Sequence, residues 1–431
     1  MFPDFHYLFQ WLFGIDIPGL SIVKTFGFFV ALGFLGGAWV IGSELKRKKD
    51  LGLFKPKVVE EEVGKPATAS ELAWTGVAGF VVGFKLLGLV LDASAVSRNP
   101  GGYLLSTEGN LIGGVLFAAL FAYSRYAAKK KQQLPQPKVK RVGIYPHQRV
   151  ADIIFIAAIG GFAGAKIFNA FETWNDFIQD PIGNLLSASG LTFYGGLIVA
   201  TVALNLYARK MKFSFRHLCD AAAPALMLAY GIGRLGCQFS GDGDWGIYNS
   251  AYITQADGSM VAATQQQYDE TVTRYHDVFL DRNLNRITPN KYAPAPSGLP
   301  TWLYAQNFKH NVNNDGIPLP GDTGNYRHVL PAGVFPTSMY EAIVCTVLFL
   351  VLWAVRKRFS APLKLFGLYL VFNGLERFLI ELIRVNYKYD WGFVHPTQAE
   401  IIATCLVLAG LFLLLVYKPT TANKTIENAP E

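Results

Sequence analysis

Long apolar stretches restrict the fold of this chain more than any other feature of its sequence. A membrane-spanning helix needs about 20 predominantly apolar residues, and nine stretches approach that length. They lie roughly at residues 21–43, 72–92, 111–127, 150–171, 189–208, 217–239, 337–355, 364–384 and 397–416. The pattern predicts an all-α polytopic membrane protein with about nine transmembrane helices.

The composition supports a membrane location. Only 16% of the residues are charged, whereas a soluble domain carries about 25%. The formal net charge of +8 could indicate a nucleic-acid partner, but the basic residues fall in short clusters beside the apolar stretches. This distribution is typical of membrane topology, so we expect the lipid bilayer as a partner and no nucleic acid.

Basic clusters follow every second apolar stretch and predict which ends face the cytoplasm. They include Lys46–Lys49, Lys129–Lys131, Arg209 with Lys210, and Arg356–Arg358. The alternation stays in phase along the chain, which places the N-terminus outside and the C-terminus in the cytoplasm.

Two interruptions predict the domain organisation. Polar linkers flank the second and third stretches, which suggests an inserted helix pair, and the loop 247–334 is long enough to form a folded cap on the outer side. The predicted divisions are 1–49 (N-terminal interfacial segment and first transmembrane helix), 50–149 (inserted pair with cytoplasmic linkers), 150–246 (core helices with a glycine-rich loop), 247–334 (cap between the sixth and seventh helices), 335–418 (C-terminal core helices) and 419–431 (cytoplasmic tail).

Charged residues inside the apolar stretches are the strongest functional signal, because charge at membrane depth is costly. Arg234 lies near the outer end of the sixth stretch, and Arg377, Glu381 and Arg384 share one predicted helical face of the eighth. Further polar residues occur near the outer ends of other stretches: Lys166, Tyr194, Tyr340, Glu341 and Gln398. Together they predict a polar cavity that is open to the outer leaflet.

Structural explanations compete with this prediction. Arg377, Glu381 and Arg384 could form a buried ion-pair clasp, and Arg234 could compensate a helix dipole. Tyr194 could be an interfacial tyrosine and Lys166 could extend to the membrane surface. Gly195 and Gly196 favour helix packing over ligand contact.

Four motifs in order resemble the prolipoprotein diacylglyceryl transferase family of the bacterial inner membrane. The central family signature stands at residues 233–246 as Gly-Arg-Leu-Gly-Cys-Gln-Phe-Ser-Gly-Asp-Gly-Asp-Trp-Gly. The others are Tyr194–Val199, Phe335–Glu341, and Arg377 with Glu381 and Arg384. The resemblance implies a seven-helix core, to which the second and third stretches add the inserted pair.

The chain departs from the family pattern at several positions. Tyr194 replaces a histidine, Cys237 replaces an asparagine, and Lys166 stands where the family has an arginine. One extra loop residue leaves either Asp242 or Asp244 at the family's acidic position.

The resemblance implies transfer of the diacylglyceryl group of phosphatidylglycerol to the lipobox cysteine of preprolipoprotein signal peptides. A thioether forms, glycerol 1-phosphate leaves, and no metal or organic cofactor is needed. Catalytic roles are expected for Arg377, Tyr194, Glu341 and Asp244. Substrate-binding roles are expected for Arg234, Gly236, Arg384, Glu381, Tyr340, Gly195, Gly196, Lys166 and Gln398.

Within these roles, Arg234 is expected to bind the headgroup phosphate of the lipid and Arg377 the leaving phosphate in the transition state, with Arg384 held by Glu381. Tyr194, Glu341 and the loop aspartates remain alternative bases for the thiol. Two other classes of function stay open, an anion transporter and a non-catalytic lipid-binding or assembly protein.

Overall fold

The computed structural model describes residues 1–91, 102–103, 106–187, 190–281 and 286–417. The predicted tail 419–431 lies outside the described residues. The chain forms two compact units. The first unit comprises Met1–Tyr7, Lys24–Glu44 and Arg216–Glu431, and the second comprises Leu8–Val23 and Leu45–Phe215.

A long helix lies at each of the nine predicted positions. These helices are α1 (Thr25–Asp50), α2 (Ala69–Leu91), α3 (Leu111–Lys131), α4 (Val150–Glu172), α5 (Phe193–Lys210), α6 (Phe215–Ser240), α7 (Thr337–Val355), α8 (Lys364–Glu381) and α9 (Gln398–Leu411, continued by a π-helical turn at Phe412–Val416). A short helix, Phe5–Phe13, precedes them.

Six helices in the described part of the chain are long and apolar enough to cross a membrane: α1, α2, α3, α4 with its preceding turn, α7, and α9 with its π-helical turn. The chain is therefore a multi-pass membrane protein. Charged residues lower the mean hydropathy of α5, α6 and α8. In α6 and α8 these charged residues include Arg234, Arg377 and Glu381.

Glycines allow α2 and α3 to pack closely in the second unit. A Cβ added at Gly83 would collide with the Gly113 carbonyl, and one added at Gly113 would collide with the Gly83 carbonyl. Small residues permit this approach of two helix backbones in a membrane.

The two linkers that flank this helix pair form a two-stranded antiparallel sheet. Strand β1 (Lys57–Val63) pairs with β2 (Lys138–Ile144) from Lys57 opposite Ile144 to Val63 opposite Lys138. Two of the three glutamates of β1, Glu60 and Glu61, lie opposite basic residues of β2, and Glu60 and Arg141 form an ion pair of 3.0 Å. The pairing brings the two ends of the predicted insertion side by side, although the sequence predicted linkers here and no strands.

In the first unit, α6 packs against both α1 and α7. A Cβ at Gly33 of α1 would lie 3.4 Å from the Ala229 carbonyl of α6, and a Cβ at Gly231 would lie 3.1 Å from Cys345 Cβ of α7. Helices α8 and α9 pack through Gly367, Gly374 and Gly410 in the same way. These contacts position the helices that carry the polar residues.

In the first unit, the described residues between 247 and 334 form small β-sheets and short helices around an aromatic cluster. The central strand is β3 (Tyr248–Thr254), which pairs with β4 (Met260–Ala262), β7 (Asn290–Lys291) and β10 (Ala332–Val334). The shorter elements are helices Gln265–Arg274 and His276–Phe279, and the strand pairs β5 (Leu280–Asp281) with β6 (Arg286–Ile287) and β8 (Ile317–Pro318) with β9 (His328–Val329). The cluster includes the fully buried Tyr268 and Phe279.

Candidate active site

Helix α6 presents Arg234 on an unbroken helical turn. The helix continues through Gly231, Gly233 and Gly236 to Ser240, so the glycine-rich loop begins only after residue 240. In that loop, Gly241 and Gly243 have positive φ angles of 66° and 92°, which residues with a Cβ rarely adopt. The Thr337 hydroxyl of α7 donates a 2.8 Å hydrogen bond to the Asp244 carbonyl and fixes the loop against that helix.

Glu341 of α7 lies at the centre of the site and is fully buried. Its Oε2 lies 3.1 Å from Arg234 Nε and 3.7 Å from Arg384 Nη1, and its Oε1 lies 3.5 Å from Arg377 Nη1. The Tyr230 hydroxyl also donates a 2.8 Å hydrogen bond to Oε1. One buried carboxylate therefore holds three guanidinium groups together.

Asp244 is the second carboxylate of this arginine cluster, which we define as Arg234, Arg377 and Arg384. It forms ion pairs with both Arg234 and Arg384. Burial raises the pKa of the Asp244 carboxyl, but the two guanidiniums outweigh that effect and lower the pKa to about 2. Asp242 makes no such ion pair and instead accepts a 3.3 Å hydrogen bond from the Asp244 amide. Asp244 is therefore the loop aspartate that pairs with the arginines.

The predicted pairing of Arg384 with Glu381 is wrong. Helix α8 ends at Glu381, so Arg384 does not continue the helical face on which the prediction relied. Arg384 turns instead to Asp244 and Glu341, while Glu381 pairs with Arg377 at 3.1 Å and accepts a hydrogen bond from Asn386.

The cluster is partly accessible despite its burial. The side chains of Arg234, Arg377 and Arg384 are 15%, 25% and 12% exposed. A cavity of about 640 Å³ borders the cluster on the side of residues 247–334, with Arg384, Asn386 and Gly243 in its wall. Forked guanidinium donors in such a position suit an anionic oxygen group such as a phosphate or a carboxylate.

Three other predicted residues of the first unit lie outside this cluster. Gly236 packs against α1, where an added Cβ would lie 3.0 Å from Phe29 Cβ. The Tyr340 hydroxyl donates to the Leu303 carbonyl. Gln398 is exposed at the first position of α9. Substrate contact by these residues stays a prediction.

The remaining predicted residues belong to the second unit. Lys166 is buried, and its ammonium group donates to the Asn184 carbonyl at 3.0 Å and to the Ser187 hydroxyl at 2.9 Å. Gly195 and Gly196 pack against α4, where added Cβ atoms would collide with Phe168 and with the Gly161 carbonyl. Tyr194 is half-buried beside Phe193. The glycines therefore have a packing role, and catalysis by Tyr194 stays a prediction.

A metal ion is a poor fit to the acidic loop. One ligand atom each from Cys237, Asp242 and Asp244 lies within 4.8 Å of the others. Asp244, however, already pairs with Arg234 and Arg384, so a cation bound there would face two guanidiniums. These two guanidiniums disfavour a second cation at this place.

Sequence reasoning missed Tyr230 and Asn386. Tyr230 lies four residues before Arg234 and therefore on the same face of α6, a spacing that could have identified it. Its ring also lies 5.2 Å from the Arg234 guanidinium carbon. Asn386 lies beyond the end of α8, where no periodicity could have indicated its contact with Glu381.

Comparison with known proteins identifies the family of the chain. The family model for prolipoprotein diacylglyceryl transferase matches residues 114–416, which is more than half of the chain. The chain belongs to the prolipoprotein diacylglyceryl transferase family. The matched part of the transferase contains all three arginines of the cluster together with Asp244 and Glu341.

Individual relatives of the transferase agree. Proteins named phosphatidylglycerol–prolipoprotein diacylglyceryl transferase from Leptospira interrogans and Chlorobaculum tepidum are 24% and 26% identical to it. These similarities cover 62% and 72% of this chain and 78% and 86% of the relatives. A protein of the same name from Dehalococcoides mccartyi is 32% identical over 136 residues, 30% of this chain and 52% of the relative.

The family match begins inside α3. It leaves α1 and α2 unmatched, so the assignment of α2 and α3 as an inserted pair stays a prediction. The sequence similarity nevertheless makes the chain a transferase of lipoprotein biosynthesis.

Proposed function

We propose that the transferase moves the diacylglyceryl group of phosphatidylglycerol to the lipobox cysteine of preprolipoprotein signal peptides. The thiol sulfur becomes a thioether and glycerol 1-phosphate leaves. The observation that carries this proposal is the arginine cluster, in which one buried glutamate and one loop aspartate hold three guanidiniums. The names of the relatives supply the substrates.

The chemistry places growing negative charge on the phosphate. When the carbon–oxygen bond of the donor lipid breaks, a phosphodiester with one negative charge becomes a phosphate monoester that can carry two. Fixed donors aimed at developing charge are often the largest contribution to catalysis. We assign Arg234 to binding of the headgroup phosphate and Arg377, the most exposed of the three, to the same phosphate as it leaves in the transition state.

In this scheme, Glu341 and Asp244 position the guanidiniums and do not accept a proton. Each carboxylate is held by two or more guanidiniums, and accepting a proton would weaken those interactions. They keep the guanidinium forks in place before the lipid arrives, which reduces the cost of reorganisation. Arg384 links the two carboxylates because it contacts both of them.

The proposed orientation of the chain in the membrane follows from the distribution of basic residues. Nine spans with the N-terminus outside leave the basic clusters at residues 46–49, 129–131, 209–210 and 356–358 on the cytoplasmic side. The arginine cluster and residues 247–334 then lie at the outer face of the bacterial inner membrane. There the donor is an outer-leaflet lipid and the acceptor is a translocated signal peptide.

The test is the mass of the acceptor. Purified protein is incubated with phosphatidylglycerol and a lipobox peptide, and the peptide is expected to gain one diacylglyceryl group. Arg234→Ala and Arg377→Ala should each reduce turnover by at least about 10²-fold, because each removes a donor to developing charge, while both variants still insert into the membrane. Arg274→Ala, which changes an exposed arginine of residues 247–334, is the control and should retain full turnover.

Near-normal turnover in either cluster variant would overturn the assignment of that arginine. No mass gain with the intact chain would overturn the proposed reaction. Anion flux into liposomes would then favour a transporter, and its absence a lipid-binding protein.

A further inference from the structure

Glu376 is a buried carboxylate beside the arginine cluster that the proposed chemistry leaves unused. It lies on α8 directly before Arg377 and is 6% exposed. Neither of its carboxylate oxygens has a hydrogen-bond partner among the described residues. Burying an unpaired carboxylate is costly, so packing alone gives no reason for a glutamate at this position.

The surroundings of Glu376 connect it to the site from three helices. The groups that interact with it electrostatically are Tyr230 and Arg234 of α6, Glu341 and Cys345 of α7, Tyr369 and Arg377 of α8, and Arg384 beyond the end of α8. The carboxylate therefore lies where the three helices meet, within the field of all three guanidiniums.

Each of the other carboxylates of the site has an ion-pair or hydrogen-bond partner. Glu341 and Asp244 hold guanidiniums, Glu381 holds Arg377 and Asn386, and Asp242 accepts the Asp244 amide hydrogen. Among the described carboxylates of this site, Glu376 is the one with neither a hydrogen bond nor an ion pair, so the lone pairs of both its oxygens can accept a proton. A general base needs such a lone pair within reach of the reacting group.

We propose that Glu376 accepts the proton of the acceptor thiol, an inference that rests on the proposed function. The Glu376 carboxylate takes the thiol proton. The thiolate sulfur then forms a bond to the carbon of the diacylglyceryl group that carries the phosphate. The bond between that carbon and the phosphate oxygen breaks, and its electron pair leaves with the glycerol phosphate. The proton then passes from Glu376 to the leaving phosphate or to water, which restores the carboxylate.

The test compares Glu376→Gln with the intact chain across pH, using the same lipid and peptide. Glutamine keeps the size of the side chain and removes its ability to accept a proton. Near pH 7 we expect turnover to fall by about 10²-fold, the lower end of general-base contributions. The deficit should shrink as the pH rises towards and beyond ~8.5, where a free cysteine thiol ionises without help.

A selenocysteine acceptor separates proton transfer from structural damage. A selenol is already ionised at neutral pH, so Glu376→Gln should turn over a selenocysteine peptide nearly as fast as the intact chain does. Full thiol turnover in Glu376→Gln would overturn the inference. A loss that is equal for both acceptors and constant with pH would also overturn it, because structural damage produces that pattern. If the intact chain itself transfers nothing, the proposed function fails instead.

Discussion

At the scale of single residues, the buried Glu341 and the loop residue Asp244 hold three guanidiniums in one cluster. Arg234 and Arg377 stand out in any reading because a guanidinium inside an apolar stretch is costly, and the structure places both in one cluster. Which carboxylate holds which arginine could not be predicted. The partner of Arg384 depends on α8 ending at Glu381, and the choice between Asp242 and Asp244 depends on how the loop folds.

The two loop aspartates give a matched pair of variants. Asp244→Asn removes the charge that holds Arg234 and Arg384, and a hydrogen bond between charged groups contributes about 1.5–3 kcal/mol. We expect turnover to fall by about tenfold or more. Asp242→Asn should have a much smaller effect because its carboxylate makes no ion pair with the arginines. Equal losses in the two variants, measured by peptide mass, would contradict the assignment of Asp244.

The pKa of Asp244 adds a prediction about pH. Its ordinary value of 3.8 is lowered to about 2 in the folded protein, where Arg234 and Arg384 outweigh the opposing effect of burial. The ion pairs therefore stabilise the fold fully above the ordinary pKa and lose that contribution as the pH falls towards about 2. The difference in melting temperature between the intact chain and Asp244→Asn should stay constant from pH 5 to 8. A difference that changes across this range would show that another group controls the site.

At the scale of secondary-structure elements, the sequence predicted the positions of the helices better than strand pairing or the exact ends of helices. A helix lies at each of the nine predicted stretches, and six of these helices are long and apolar enough to cross a membrane. The β1–β2 pair was not predicted, since its strands are separated by two helices and their charges resemble those of a solvated linker. The end of α8 was placed three residues too late because the apolar pattern continues through Leu382 and Ile383.

Glycine packing between α4 and α5 can be tested on one helix. A Cβ at Gly164 would collide with the Gly195 carbonyl, whereas a Cβ at Gly161 would meet nothing within 4 Å. Overpacking costs about 1–3 kcal/mol, so Gly164→Ala should lower the melting temperature. Gly161→Ala should leave it unchanged or raise it slightly, because alanine favours helices over glycine by about 1 kcal/mol. Thermal unfolding in detergent would measure both, and equal effects would contradict the predicted packing.

At the scale of the whole molecule, the sequence predicted a multi-pass membrane transferase, and the helices and family match confirm it. The number of spans and the status of the inserted pair stay predictions. Neither composition nor hydropathy distinguishes an added helix from a core helix, because both are equally apolar.

Excision tests the inserted pair directly. Lys57 and Ile144 are opposite each other in the β1–β2 register, so a short glycine linker can join them after removal of residues 58–143. We expect the shortened chain to insert and to transfer lipid, because removing two spans keeps the topology in phase. Removing residues 92–131, which takes out α3 but keeps α2, should abolish activity because it reverses the orientation of every later helix. A shortened chain that inserts but transfers nothing would place α3 in the catalytic core.

The central claim is that the arginine cluster binds the phosphate of the donor lipid, and a structure with phosphatidylglycerol bound tests it most directly. The account predicts phosphate oxygens within hydrogen-bond distance, about 2.7–3.2 Å, of the guanidiniums of both Arg234 and Arg377. Glu341 should still contact the arginine cluster in that structure. A lipid phosphate bound elsewhere, while Arg234 and Arg377 keep only the carboxylate partners described above, would contradict it.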